Sequence, residues 1–187
     1  PLLEEVIKNE ELFLEKPSVF NSTEVVASLP EAYRDLDYSP ILDSAESNHP
    51  CVWRNEHYQK SSLHPERLIY STQNGLRVRS KSESIIAGLL EIEDIPFRYE
   101  ALLVLDERNY YPDFTILNPQ DNKIVYWEHF GMVDNEEYAA AMDRKLTVYK
   151  KHGIQPWNNL ITTYESGANP FNVQQIRRVI KAFLALE

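Results

Sequence analysis

The strongest constraint on the fold is the repeated change in hydrophobic period across residues 76–187. Apolar residues recur first at helical spacing and then in three short strand-like segments. A second stretch with helical spacing follows, then another short apolar run and a last amphipathic stretch. This succession predicts the element order α-β-β-β-α-β-α. Three strands joined by short turns, followed by a crossover helix and a fourth strand, predict an α/β fold in which helices flank a mixed central sheet.

Local signals place the boundaries of these elements. Ser80-Lys81-Ser82-Glu83 has the form of a capping box and starts the first helix, which we expect to end near Asp94 because Pro96 follows. The later elements begin and end at turn residues or caps. The strands are predicted at 97–105, 110–117, 123–130 and 160–164, and the two later helices at 135–152 and 172–186.

Residues 1–75 differ from the rest and predict a separate N-terminal segment. A helix is predicted over 2–14, and scattered prolines and polar clusters follow it. The segment holds 6 Lys and Arg against 13 Asp and Glu, whereas residues 76–187 hold 13 against 16. We therefore divide the chain into an irregular acidic segment, 1–75, and a regular core, 76–187.

Composition excludes several classes of protein. Apolar runs such as 101–105 are far shorter than the roughly 20 residues that span a bilayer, so we expect no membrane contact. Cys51 is the single cysteine, which excludes an intrachain disulfide and argues against a cysteine zinc site. This cysteine usage and the lack of a secretory pattern at the start predict a cytoplasmic protein. A net charge of −10 argues mildly against nucleic acid, although a carboxylate metal site is negative until its cation binds.

Two carboxylates fall near the ends of neighbouring predicted strands. Asp113 lies near the start of the second strand, and Glu128 lies near the end of the third. If these strands pair antiparallel, the two side chains become neighbours across the ladder. Two carboxylates held close together among aromatic residues repel each other, so one protonates or both bind a hard cation such as magnesium. A single strand carboxylate is usually solvated or salt-bridged, so the pair is what favours a site.

Two motifs and a helix carry a resemblance to a known family. Tyr111-Pro112-Asp113-Phe114 and Trp127-Glu128-His129-Phe130-Gly131, preceded by Arg79-Ser80-Lys81-Ser82-Glu83, resemble the PD-(D/E)XK nuclease superfamily. The resemblance covers residues 76–165 and is closest to uncharacterised bacterial and helicase-linked members. It implies a restriction-endonuclease-like αβββαβ core and a nuclease that uses Mg²⁺ or Mn²⁺. It also implies that Asp113, Glu128 and the backbone carbonyl of His129 bind the metal, with Glu83 contributing directly or through water.

One position departs from the superfamily pattern. A lysine is expected two residues after the strand-end carboxylate, but this residue is Phe130, which cannot stabilise negative charge. Lys145 is the candidate replacement, because it shares a helical stripe with Tyr138, Met142 and Tyr149 that should face the sheet. The Lys145-x-x-x-Tyr149 spacing also resembles a Gln-x-x-x-Tyr pattern of helicase-linked members. The other interpretation of Lys145 is a side chain that reaches past the apolar face to solvent.

Several neighbouring residues have two interpretations. Glu83 either reaches the site or only closes the capping box with Ser80. Glu100 is either a further metal ligand or, as we expect, a surface charge. His129 is expected to be structural, since strand alternation turns its side chain away from Glu128. Three cations at the start of the first helix are candidate contacts to backbone phosphates: Arg77, Arg79 and Lys81.

The resemblance, together with these residues, implies hydrolysis of nucleic-acid phosphodiester bonds, with DNA favoured over RNA as the substrate. The predicted catalytic set is Asp113, Glu128, Lys145 and Glu83. The first alternative is a catalytically inactive module that keeps the fold and serves as a binding or scaffold subunit, which Phe130 and the net charge favour. The second is a subunit of a larger defence or repair assembly. A homodimer and a complex with a partner subunit both stay open.

Overall fold

The computed structural model describes residues 27–28, 30–34 and 50–184. The chain divides into two compact units, Pro1–Trp53 and Arg54–Glu187. Within the described residues, the first two helices are α1 (Glu31–Arg34) and α2 (Pro50–Asn55). The helix predicted over 2–14 lies outside the described residues, and the predicted division into an irregular segment, 1–75, and a regular core, 76–187, stays a prediction.

A four-stranded mixed sheet forms the centre of the second unit. In spatial order the strands are β3 (Phe97–Tyr99), β6 (Phe114–Leu117), β7 (Ile124–Phe130) and β8 (Leu160–Tyr164). β3 pairs antiparallel with β6, β6 pairs antiparallel with β7, and β7 pairs parallel with β8. This arrangement confirms the predicted α/β class with a mixed central sheet.

Helices cover both faces of this sheet. Helices α3 (Lys81–Ile92) and α5 (Val173–Phe183) pack on the face that carries Phe114, Ile116 and Trp127. Helix α4 (Glu136–Lys151) covers the other face, where Tyr149 packs with Leu160. Each fully buried large apolar side chain stabilises such a core by about 1.5–3 kcal/mol. Within the described ranges, no helix is both long enough and apolar enough to cross a membrane.

The first two predicted strands are each broken in the structure, so the prediction of two continuous strands was wrong. The segment 97–105 forms β3 and then β4 (Leu103–Leu105), because Glu100 adopts a left-handed backbone conformation with φ of +47°. The segment 110–117 is interrupted at 111–113, between β5 (Arg108–Tyr110) and β6. β4 and β5 form their own hairpin, whose turn residues Asp106 and Glu107 both have positive φ, as a type I′ turn requires.

The start of α3 follows from its sequence. The Ser80 hydroxyl accepts a hydrogen bond from the Glu83 amide, which confirms Ser80 as the N-cap. The Glu83 carboxylate accepts from the Arg79 amide, one residue before the cap, rather than from Ser80. Upstream of α3, a 3₁₀ turn (Pro65–Arg67) precedes a two-stranded hairpin of β1 (Tyr70–Ser71) and β2 (Arg77–Val78).

Candidate active site

The sheet register brings the two predicted carboxylates together. Because Phe114 pairs with Trp127, Asp113 lies beside Glu128, on the face covered by α4. The Oδ2 atom of Asp113 accepts a hydrogen bond of 2.7 Å from the His129 amide, which fixes the carboxylate at the end of β7. Asp113, Glu128 and Lys145 line one pocket of about 210 Å³, and its remaining lining residues are His129, Phe130, Tyr138, Ala141 and Met142.

Lys145 lies inside this pocket rather than in solvent. Its Nζ is 2.6 Å from Oε1 of Glu128, and it also donates to the Tyr111 carbonyl at 3.3 Å. The Glu128 side chain is 3% exposed and the Lys145 side chain 26% exposed, so this ion pair is largely withdrawn from water. Helix α4 thus carries a cation to the strand-end carboxylate, where the sequence lacks the expected lysine.

Tyr149 is a second α4 residue that binds Glu128. Its hydroxyl donates to Oε1 of Glu128 at 2.8 Å, and its ring packs edge-on against Tyr110. Burial raises the pKa of Tyr149, and the neighbouring Glu128 carboxylate adds to the rise, so the phenol stays protonated as a donor. The sequence placed Tyr149 on the helical stripe but gave it no chemical role. The sequence signal for its contact with Glu128 was its position four residues, about one helical turn, after Lys145.

The pocket perturbs the pKa of each of its charged groups. Burial raises the pKa of Asp113 well above its usual range, and the Glu128 charge adds to the rise. Burial also raises the pKa of Glu128, although Lys145 and the Tyr149 hydrogen bond oppose it. Burial alone lowers the pKa of Lys145, but the two carboxylates outweigh that cost and raise it. One ammonium therefore serves two carboxylates, and burial favours the protonated form of both.

Glu83 lies near the pocket but has other partners. Its Oε2 atom accepts from the Tyr99 hydroxyl at 2.6 Å and from the Arg79 amide at 3.0 Å. Its charge raises the pKa of Asp113, so the two carboxylates interact electrostatically. Glu83 is not among the residues that line the pocket, and its contribution to a metal site stays a prediction.

Glu100 is buried, so the expectation of a surface charge was wrong. It is 7% exposed, and it forms a two-pronged ion pair with the guanidinium of Arg79. Arg79 also donates to the carbonyls of Leu63 and His64, which ties that segment to the core. The predicted contact between Arg79 and substrate phosphate is therefore replaced by a structural role. The sequence could not reveal this pair, because its two members are 21 residues apart.

The His129 side chain lies on the opposite face of the sheet from Glu128, as strand alternation predicts. Its Nδ1 is 3.0 Å from the Thr163 hydroxyl, and its Nε2 is 3.2 Å from Oε2 of Glu165. Thr163 already accepts from the Trp127 indole, so its own proton is available to His129 Nδ1. Burial lowers the pKa of His129, with Glu165 opposing the change. At the pocket, His129 contributes backbone groups rather than its ring.

Phe130 occupies the position of the expected lysine and packs into an aromatic cluster. It is 4% exposed, stacks on Tyr164 with ring centroids 5.5 Å apart, and meets Tyr138 edge-on. Burial raises the pKa of Tyr138, and the charge of Asp113 adds to the rise. Phe130 and Tyr138 therefore form an apolar wall of the pocket, and its positive charge comes from α4.

The oxygen donors of this pocket fit a hard divalent cation. Magnesium is usually held by one or two carboxylates, with water and substrate phosphate completing its octahedron. Asp113 and Glu128 supply two such carboxylates, whose mutual repulsion a cation would relieve. Across the described residues, no group of three or more His, Cys, Asp or Glu side chains is placed to hold a metal ion. Backbone carbonyl, water and substrate oxygens would complete the coordination.

Comparison with known proteins adds one distant relative. No family model matches the chain, and no solved structure matches it. A stretch of 85 residues is 36% identical to an uncharacterized protein of Methanocaldococcus jannaschii. The match covers 45% of this chain and only 7% of that protein. That relative is itself uncharacterized, whereas the pocket of Asp113, Glu128 and Lys145 has a definite chemistry.

Proposed function

We propose that the second unit is a restriction-endonuclease-like core that hydrolyses nucleic-acid phosphodiester bonds with Mg²⁺ or Mn²⁺, and that it acts on DNA in preference to RNA. The observation that carries the proposal is the shared pocket of Asp113, Glu128 and Lys145. The buried carboxylate of Glu128 and the partly buried carboxylate of Asp113, with one ammonium, provide both a site for a hard cation and a donor for a phosphate oxygen.

The order of elements supports the proposed fold. Helix α3, strands β3, β6 and β7, helix α4 and strand β8 follow one another as an αβββαβ core requires. The β4–β5 hairpin is then an insertion between the first and second strands of that core. The carboxylates lie where the second strand begins and the third ends, which is where the resemblance expects them.

Each pocket residue has a definite role in the proposed reaction. Asp113, Glu128 and the His129 carbonyl would hold the cation, which when bound neutralises charge on the scissile phosphate and activates water. Lys145 donates to a phosphate oxygen or to the attacking water, where negative charge develops. Tyr149 would keep its hydrogen bond to Glu128 when Lys145 moves from Glu128 to the phosphate oxygen or the water.

The test is thermal unfolding with and without Mg²⁺ or Mn²⁺, followed by cleavage assays on labelled DNA and RNA, single-stranded and duplex. A cation at a hundred times its dissociation constant stabilises the folded state by about 2.7 kcal/mol. We expect Asp113→Asn to lose both the stabilisation and the cleavage. Asp121→Asn is the matched control, because Asp121 lies in an exposed turn and its ion pair is with Lys123, outside the pocket. Cleavage at the wild-type rate by the Asp113 variant would refute the assignment.

A second candidate function is favoured by Phe130. Phe130 packs between Tyr138 and Tyr164 and so fills the expected lysine position with an apolar side chain. Such packing fits an inactive module that keeps the fold for binding, or a subunit of a larger assembly. This candidate predicts binding of an oligonucleotide or a partner protein without metal-dependent cleavage. Cation-dependent cleavage that requires Asp113 would exclude it.

A further inference from the structure

A cationic groove adjoins the carboxylate pocket on the α4 face. It encloses about 710 Å³, against about 210 Å³ for the pocket, and shares Ala141 and Lys145 with it. The charged members of this cationic groove are Arg108, Asp143, Arg144 and Lys145. Because the two cavities share lining residues, a linear molecule held in the pocket can continue into the groove.

Two arginines of this groove have guanidinium groups without a partner among the described residues. Arg108 on β5 and Arg144 on α4 are exposed, and neither forms an ion pair or a side-chain hydrogen bond with another residue in the described part of the chain. Arg79, by contrast, is bound to Glu100 and to backbone carbonyls. Asp143 is the acidic member of the groove, so the groove carries a net positive charge in a chain whose net charge is −10.

We propose that this groove binds the polynucleotide backbone beside the scissile phosphate, with Arg108 and Arg144 each contacting one phosphate. The inference rests on the proposed function, because the carboxylate pocket supplies the position of the scissile bond. A planar guanidinium can form two parallel hydrogen bonds to a phosphate, which makes arginine well suited to this contact. Such contacts position the strand without reading its sequence. These two arginines take the place of Arg79 in the predicted set of phosphate contacts.

The test measures how salt weakens oligonucleotide binding. Fluorescence anisotropy in EDTA, which prevents cation-dependent cleavage, compares the wild type with Arg108→Gln/Arg144→Gln. Loss of two phosphate contacts lowers the slope of log affinity against log salt by about 1.4 on single strands or about 1.8 on duplexes. Raising salt from about 50 to about 200 mM should therefore weaken the wild type about 7- to 12-fold more than the variant.

A control with the same change in charge separates local contacts from net charge. Arg177→Gln/Arg178→Gln alters exposed residues of α5, which packs on the opposite face of the sheet from α4. We expect this control to keep the wild-type slope. Asp143→Asn should tighten binding, because it removes the negative charge of the groove. Equal slopes for the wild type and the groove variant, or an equal loss in the α5 control, would overturn the proposal.

Cleavage measured on the same proteins distinguishes the two proposals. Salt-dependent binding through the groove, without cleavage in Mg²⁺ or Mn²⁺, supports the groove and refutes hydrolysis. Cation-dependent cleavage whose KM is unchanged by Arg108→Gln/Arg144→Gln supports hydrolysis and overturns the groove. Cleavage with a raised KM and an unchanged kcat in that variant supports both.

Discussion

Replacement of Lys145 by methionine tests the electrostatics of the pocket most directly. Methionine keeps the unbranched apolar chain and removes the ammonium that lies 2.6 Å from Glu128. Removing one member of a buried ion pair typically costs about 3–5 kcal/mol, because the other charge stays buried without its partner. We expect a cost near 3 kcal/mol, the lower end of this range, because the Tyr149 hydroxyl still donates to Glu128.

The cost of Lys145→Met should depend on pH in a definite direction. Without the ammonium, burial raises the pKa of Glu128 further above its value in the unfolded chain. A carboxyl group whose pKa is raised by folding favours the folded state at low pH, and this contribution is lost as pH rises through the folded-state pKa. The variant should therefore be close to the wild type at mildly acidic pH and weakest above neutrality.

Urea unfolding at several pH values measures this effect. The urea concentration at the midpoint of unfolding should fall. The slope of the unfolding free energy against urea concentration should stay the same, because the surface exposed on unfolding is unchanged. Glu128→Gln/Lys145→Met should recover most of the loss, because it removes both charges. Lys150→Met, on the exposed side of the same helix, should have no measurable effect. A small, pH-independent loss for Lys145→Met, or no recovery in the double variant, would refute the reasoning.

Three further predictions follow from other contacts. Burial and Glu128 raise the pKa of Asp113. As pH rises through that pKa, the metal-free protein should lose stability and its stabilisation by Mn²⁺ should grow. Asp113→Asn should flatten both trends in melting temperature, and unchanged trends in that variant would contradict the assignment. Tyr149→Phe removes a donor to a buried carboxylate and should cost about 1.5–3 kcal/mol in urea unfolding; an unaltered midpoint would show that this bond adds nothing. Glu100→Gln leaves Arg79 without its charged partner and should cost about 1–3 kcal/mol; a cost below about 0.5 kcal/mol would place the pair among surface contacts.

The order of α3, the central-sheet strands, α4 and α5 could be predicted because the signals that define helices and strands are local. Short-range patterns define the cap at Ser80, the strand at 124–130 and the stripe of α4, because each depends on residues only a few positions apart. The break at Glu100 could not be predicted in this way. Its left-handed backbone is favoured by contacts made elsewhere, including the bond from its amide to the Asp113 carbonyl and the ion pair with Arg79.

The candidate site was predictable where it depends on strand geometry. Alternation and an antiparallel register were sufficient to place Asp113 beside Glu128 and to turn the His129 ring away. The cationic groove gave no such signal, because Arg108 and Arg144 come from a hairpin and a helix that are separated by two strands of the sheet. Only the packing of α4 on the sheet reveals that they share a cavity with Lys145.

The position of the cation on α4 links the chemistry of the pocket to the packing of the helix. A lysine at position 130 would belong to the same strand as Glu128, whereas Lys145 and Tyr149 both attach α4 to that carboxylate across the helix–sheet contact. A divalent cation held by Asp113 and Glu128 would compete with Lys145 for the same carboxylate charge. Under the proposed function, cation binding would therefore release the ammonium toward a phosphate, while Tyr149 alone keeps α4 tied to Glu128.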